Sequence, residues 1–478
     1  MSITKKIAHN TLIQIIGKII STFLGLVALG IMTRYFGTDD RFGWYITTIT
    51  FLQFIGILID FGLIPVTASL LSEGKIDKER LLQNLLGFRL VTAAVTFGLA
   101  PLIALFFPYP IEVKIAIALS SFSFFGVAMN QIFTGYYQTK LKMIIPVIAE
   151  LIGRIILVIG IYILTILEAG FLPIMTMIMV AGVLTTAILW LQSAKEIQTK
   201  PMFDQLVWKT IIIKMWPIAI AIMFNVIYLK GDTLLLTIFR GAGKEVGDYG
   251  AAYRVLDLVT QTAMIMMGVM LPLLTSAWTA RKKEEFRLHY QQSFNMMMLL
   301  ALPATIGTAL LAEPIMKIVA SEKFDYIAAG SALRVLSLAM FGVYLGAIFG
   351  HLAVAINRQK QTMWIYISDA ILTLTGYLIF IPKFGMMGAA WMTVFSEVYA
   401  GVLLLLVVRR YAQVSLEIKT FAKILFAAAV MGAVLLQLQH IHVLILVIIG
   451  ALVYGFFLLG LGAVSKQTLI EIVEVKQG

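Results

Sequence analysis

The chain has 478 residues, of which 60% are hydrophobic and 13% charged, with a formal net charge of +12 and no cysteine. A soluble domain of this length carries nearer half apolar and a quarter charged residues, so the composition excludes an ordinary globular enzyme. The missing cysteines exclude disulfides, thiolate metal sites and cysteine nucleophiles, and the basic residues lie in short clusters between apolar blocks without an aromatic-basic motif, which argues against a nucleic-acid partner.

The apolar residues fall into blocks of about 20 residues or more, the length that crosses roughly 30 Å of hydrocarbon. In chain order they run 9–33, 43–64, 81–107, 111–138, 145–167, 170–193, 211–239, 246–277, 286–311, 327–357, 361–381, 386–408, 418–438 and 441–464. The basic start MSITKKIAHN leads directly into the first block and reads as the beginning of a membrane helix, not a cleaved signal. Longer blocks such as 246–277 tilt, kink or extend past the bilayer. The connections are too short for a soluble domain. The reading is an all-α membrane protein of about 14 transmembrane helices. With the N-terminus placed in the cytoplasm, about 23 Lys and Arg fall in inner segments and about 8 in outer loops, a strong positive-inside bias that puts both termini in the cytoplasm of a bacterial or archaeal cell, in its inner membrane.

An internal repeat runs through the chain. Arg34-Tyr35-Phe36-Gly37, then Phe42-Gly43-Trp44-Tyr45, then Pro65 and an inner loop near Glu73, are echoed by Arg240-Gly241-Ala242-Gly243, then Val246-Gly247-Asp248-Tyr249, then Pro272 and an inner loop at Arg281. A second echo pairs Tyr137-Gln138-Thr139-Lys140 with Asn357-Arg358-Gln359-Lys360, each followed by an acid in the next block, Glu150 or Asp369. Six-helix units of this kind are typical of transporters with a substrate site between the halves.

With the charges near the block ends assigned to the loops, twelve charged residues remain inside the apolar blocks: Lys18, Arg89, Arg154, Lys230, Arg254 and Arg334 against Asp60, Glu150, Asp232, Asp257, Asp369 and Glu397. Each central charge costs roughly 2.5–3.5 kcal/mol on insertion scales, so these groups pair, line water or lie near an interface. Gln53, Gly56 and Asp60 share one helix face, as do Arg89, Thr92 and Thr96, and Arg254, Asp257 and Gln261 form a polar stripe. Glu150 and Arg154 stand at i and i+4 with the acid first, the order that suits a local ion pair. Gly17, Ser21 and Gly25 make a small-residue face for close packing, with Lys18 beside it. Lys18, Asp60 and Arg89 lie deep without a partner on their own helix and read as cavity residues. Lys230 and Asp232 flank Gly231 near the outer end of their helix and fit an interfacial place as well as a cavity. Arg334, near an outer boundary, is placed to snorkel. His440 and His442 share one short loop, which is weak grounds for a metal, and no metal site is expected. Gly241-Ala242-Gly243-Lys244-Glu245 lacks the upstream Gly and the Ser or Thr of a phosphate loop. No nucleophile or carboxylate-pair constellation stands out, and no enzyme activity is expected.

The pattern resembles the polysaccharide-transport branch of the superfamily that joins multidrug exporters, oligosaccharide-lipid flippases and lipid II flippases. The resemblance is carried by Asn10-Thr11-Leu12, Arg34 to Gly37, Phe42 to Tyr45, Asp60-Phe61-Gly62-Leu63 and Gly231-Asp232. It continues through Val246 to Tyr249, Ala252-Tyr253-Arg254, Leu271-Pro272 and Phe384-Gly385-x-x-Gly388-Ala389-Ala390. It implies two six-helix lobes, 1–200 and 201–410, around a central cavity, with two further helices in 411–478. It implies alternating access and a substrate of undecaprenyl-(pyro)phosphate-linked oligosaccharide, a diphosphate that calls for cations in a wet cavity. Lys18, Arg89, Arg154 and Arg254 are the expected substrate-binding cations. Asp60, Lys230, Asp232, Asp257 and Asp369 are the expected coupling or gating residues, tied to a sodium or proton gradient with no other cofactor. Membrane lipids and a glycan polymerase or glycosyltransferases are the expected partners. A lipid II flippase and a cation-coupled multidrug exporter share the layout, although an exporter's cavity is dominated by acids and this chain holds as many intramembrane bases as acids.

Overall fold

The computed structural model describes residues 3–37, 39–60, 67, 70–71, 76–320 and 324–463, with side chains for all of these except 3–9, 11, 57–60, 214 and 216–229. Among the described residues every regular element is a helix. In chain order they are α1 (Ile3–Phe36), α2 (Arg41–Asp60), α3 (Lys78–Leu105), α4 (Ile111–Thr139), α5 (Ile144–Ile166), α6 (Phe171–Ser193) and α7 (Gln205–Arg240). There follow α8 (Lys244–Thr279), α9 (Lys283–Leu310), α10 (Ala312–Ala320), α11 (Tyr326–Ala355), α12 (Gln359–Ala412), α13 (Ile418–Gln437) and α14 (Val443–Gly460).

Eleven of these helices are long and apolar enough to cross a membrane, counted over the described residues. Their outward faces carry large apolar side chains, such as Leu12, Ile16, Ile19 and Phe23 on α1 and Leu444, Ile448, Leu452 and Phe456 on α14. Water would penalise so much exposed hydrocarbon, and lipid does not. The chain is therefore a multi-pass membrane protein.

Helix ends are set by local chemistry. Asp77 accepts the Glu79 and Arg80 amides at 3.1 Å each to start α3, and Asp325 takes the Ala328 amide at 3.0 Å to start α11. These are ordinary N-caps that satisfy amides with no helical partner. Leu141, Glu168, Arg281, Asn357 and Gln413 turn the chain at helix C-termini with positive φ, which explains why the connections are so short.

α12 spans 54 residues, about 81 Å of helix, far more than one crossing. It is two helices folded at Gly385, whose φ of 57° and ψ of −135° lie outside the helical region and suit only glycine. The arms run antiparallel. Gly376 meets Met392, Gly388 meets the Phe380 carbonyl, and the Ser368 and Tyr399 hydroxyls bond at 3.0 Å. The blocks expected at 361–381 and 386–408 are these arms. α10 was not expected; its nine residues are too few to stand out from the loop.

By compactness the chain divides into one unit of Met1–Gly250 with Val319–Phe324 and another of Ala251–Ile318 with Asp325–Gly478. In the first unit, Leu81, Leu85, Phe133, Tyr137 and Ile211 belong to one core, and Phe51, Phe97, Tyr109 and Ile117 to another. In the second, Met267, Phe286, Tyr290, Phe349, Leu404 and Met431 share a core to which α13 and α14 contribute.

Candidate functional site

Helix α1 carries three strips. Asn10, Gly17, Ser21 and Ala28 are buried, while Leu12, Ile16, Ile19 and Phe23 are exposed on the far side. Along one flank Gln14, Lys18 and Thr22 recur every fourth residue, so they stack along one face. The buried strip packs on α5. The Asn10 side-chain carbonyl accepts the Met143 amide at 2.8 Å, Gly17 faces Val147, and the Ser21 hydroxyl donates to Glu150 Oε1 at 2.6 Å. The contacts climb both helices together, so α1 and α5 run parallel.

This packing changes the reading of Glu150. The sequence pairs it with Arg154, but its carboxylate is taken by Ser21 of another helix. Arg154 is exposed, one turn further along α5, and Lys18 is exposed one turn before Ser21. Neither side chain makes a hydrogen bond or ion pair among the described residues. At 100° per residue each lies roughly 130° round its helix from the exposed apolar strip, which on α5 is Ile148, Ile152, Ile155 and Ile159. Two uncommitted cations therefore flank an anchored carboxylate, away from the apolar faces. Each can take an anion through charge-assisted bonds without breaking an existing pair.

The other sequence candidates have different surroundings. Arg89 is 1% exposed; its Nε donates to the Ala128 carbonyl at 3.0 Å and its Nη2 to Gln131 at 2.5 Å, both on α4. Asp60 lies outside the residues whose side chains are described. Lys230 is half-buried. Asp232 is fully buried and accepts the Tyr249 hydroxyl at 2.6 Å together with the Thr233 amide at 2.5 Å and its hydroxyl at 3.1 Å. Arg254 and Asp257 are half-buried on α8 in the second unit, and Arg254 makes no hydrogen bond or ion pair among the described residues. Asp369 is buried and accepts Thr373 and Ser396 at 3.0 Å each, one from each arm of α12. Arg334 pairs with Glu313 of α10 at 2.7 Å. A groove of about 630 Å³ along α8 is lined by Leu271, Pro272, Thr275, Ser276, Thr279 and Ala280. None of these is charged, so it does not coincide with the polar cluster.

The two repeated motifs meet in the first unit. Asp40 accepts the Lys244 amide at 2.8 Å, a carboxylate on the first turn of α8. Gly43 lies so close to the Gly243 carbonyl that an added Cβ has no room, and Ile46 packs on Gly250. Phe42 meets Phe324 edge to face at 5.5 Å, and the Thr33 hydroxyl reaches the Val319 carbonyl at 3.2 Å. The sequence shows the likeness of the two motifs but not their contact. It also gave no hydrogen-bonding role to Ser21, Gln131 or Tyr249; Ser21 was marked only as part of a packing face and Tyr249 only by its place in a repeated motif.

The model of a family described as polysaccharide biosynthesis protein matches residues 31–329, more than half of the chain. The chain belongs to this family. A second model, that of the lipid II flippase MurJ, matches residues 252–457 of this polysaccharide biosynthesis protein. Among solved structures, a lipid II flippase MurJ in an inward closed conformation is similar over 93% of this chain and 97% of its own, with a TM-score of 0.79 and 18% identity. An inward-facing multidrug resistance MATE family transporter of the MOP superfamily is similar over 82% and 94%, with a TM-score of 0.68 and 15% identity. The fold is thus the one shared by these transporters. An uncharacterized membrane protein of Methanocaldococcus jannaschii is 26% identical over 166 residues, 34% of this chain; the chain spans 32% of that relative's length.

Proposed function

We propose that this protein is a flippase that moves an undecaprenyl-(pyro)phosphate-linked oligosaccharide from the cytoplasmic to the outer leaflet by alternating access. The observation that carries the reading is the pair Lys18 and Arg154, exposed, uncommitted and on the polar flanks of α1 and α5. A diphosphate leaving bulk water needs fixed cations to replace its hydration. Membership of a polysaccharide biosynthesis family supports the saccharide, and the MurJ-like fold supports the lipid carrier. Arg89 and Arg254 extend the cation set in a state that frees Arg89 from α4. The moving bodies are lobes 1–200 and 201–410, a kinetic division distinct from compactness, with 411–478 attached. Asp60, Lys230, Asp232, Asp257 and Asp369 are proposed to couple the cycle to a sodium or proton gradient. Both termini face the cytoplasm of the cell membrane, and glycosyltransferases or a glycan polymerase are the partners.

A second reading is favoured by one observation: the MurJ family model covers 252–457, so lipid II is the alternative cargo. The test is transport in proteoliposomes loaded with a fluorescent lipid-linked oligosaccharide or with fluorescent lipid II. The Lys18→Ala, Arg154→Ala double variant should transport at least about tenfold more slowly at equal protein levels, since a charged hydrogen bond contributes about 1.5–3 kcal/mol. Wild-type rates in that variant remove the two cations from the mechanism. Transport of lipid II alone decides for the second reading.

A further inference from the structure

We propose that Arg358, Arg409 and Arg410, gathered at Tyr411 and Tyr290, form a binding site for a phosphate-ester anion on the surface of the second unit. The Arg358 guanidinium carbon lies 4.1 Å from the centre of the Tyr411 ring and that of Arg410 5.9 Å from the same centre. Arg409 is within electrostatic reach of the buried Tyr290 hydroxyl. Two like charges thus share one ring with a third on the adjacent residue.

Basic residues at helix ends are common on one side of a membrane protein, and topology alone accounts for their presence. Here two guanidiniums on one ring set the cluster apart. Several other surface cations are taken up by acids: Arg80 with Asp204, Lys142 with Glu196, Arg240 with Glu245, Lys282 with Glu285 and Arg334 with Glu313. Among the described residues the side chains of Arg358, Arg409 and Arg410 make no hydrogen bond or ion pair. The acid of the nearby loop, Glu417, bonds Gln291 through its backbone amide at 2.8 Å, and its carboxylate pairs with none of them.

The cluster is also held in place. Asn357, at φ 57°, ends α11, and the Arg358 amide returns to the Ala353 carbonyl at 2.8 Å. Gln413, at φ 52°, ends α12 just after Tyr411. Both are tight left-handed stops, so the residues on either side of the ring sit on helix termini and not on a long loop. Arg358 is half-buried while Arg409 and Arg410 are exposed. A guanidinium stacked on an aromatic face keeps its fork of donors free for a phosphate. The anion is either the headgroup of an anionic phospholipid in the adjoining leaflet or a soluble phosphate or pyrophosphate; the recognition chemistry is the same. The proposal does not depend on what the protein transports.

The chain has no cysteine, so an environment-sensitive fluorophore on Ser415→Cys reports on this site alone. The full-length protein is placed in phosphatidylcholine nanodiscs. In one arm brominated phosphatidylglycerol replaces part of the lipid, with brominated phosphatidylcholine as reference; in the other inorganic pyrophosphate is titrated. The site predicts saturable quenching specific to the anionic bromolipid, or a saturable response to pyrophosphate. Whichever arm responds identifies the source. Arg358→Gln with Arg410→Gln should weaken that response about tenfold, the loss expected for a charge-assisted contact. Tyr411→Leu keeps every charge and removes the stack; it should weaken the response too, and it decides the matter if the arginine variant is not monodisperse. No saturable response in either arm, or one unchanged in Tyr411→Leu, overturns the proposal.

Discussion

Arg89 and Lys18 look alike in the sequence, each a lone base in an apolar block, yet one is enclosed and the other open. The difference lies on α4: the Ala128 carbonyl and Gln131 are some forty residues from Arg89 in sequence, and no local pattern announces them. Arg89→Ala should therefore act on stability, removing the two charge-assisted bonds that tie α3 to α4 at a cost of about 1–3 kcal/mol. Thermal unfolding in detergent should show a lowered midpoint for Arg89→Ala and none for Lys18→Ala; equal midpoints would place Arg89 in a wetter setting. Glu150 teaches the same lesson, since the i, i+4 rule sees Arg154 and not Ser21. Outside the membrane segments, Asp204 starts α7 and receives Arg80, whose guanidinium, followed by the Leu206 amide, holds its carboxyl below the ordinary value of 3.8. Because the folded value is depressed, its stabilisation is complete above the ordinary value and is lost only as pH falls through the lower folded one. The Met202 and Asp204 amides, bonded to Gln83 and Asn84 on α3, should stay protected from hydrogen exchange at pH 5 and open below about pH 3.8. Opening already at pH 6 would show that Arg80 and Asp204 do not hold this connector.

At the level of helices, the blocks were legible because the bilayer makes hydropathy a length gauge. The break between the two arms of α12 was visible as the gap between the blocks 361–381 and 386–408, where Pro382, Lys383 and Gly385 interrupt the apolar run. What was not visible is that the turn depends on one residue. Gly385→Ala puts a Cβ into a backbone region where non-glycine residues are strained by about 1–3 kcal/mol. The arms carry the Asp369–Ser396 and Ser368–Tyr399 bonds, so the variant should unfold at lower temperature and lose exchange protection from Asp369 to Tyr399. An unchanged midpoint would mean that the hairpin relaxes at no cost. The repeat in the sequence was legible as likeness, whereas the meeting of its halves at Asp40 and Lys244 required the fold.

For the whole molecule, direction follows from parity. α1 and α5 run parallel by their contacts, as two odd-numbered crossings must. Single cysteines at Asp39 and Lys244 should then label from one side of the membrane and those at Lys142 and Arg281 from the other, in sealed vesicles with an impermeant maleimide. Labelling of Lys244→Cys and Arg281→Cys from the same side would overturn the crossing of α8. The charge asymmetry of the loops is what the sequence offers on which of these two sides is the cytoplasmic one. The arrangement of polar residues was not readable, because it rests on pairs between separate helices, such as Ser21 with Glu150, whose spacing no helical period encodes.

The contact of Gly43 with the Gly243 carbonyl also bears on how this end of the molecule tolerates change. Where side chains touch, a bulky replacement on one helix can be absorbed by a smaller neighbour on the other. Here the opposing atom belongs to the main chain, which no second-site substitution can trim. A saturation library should therefore recover glycine alone at position 43, while Arg41, exposed and paired with Asp39 at 3.4 Å, accepts most residues. Variation at this junction is open to the rim and closed to the seam.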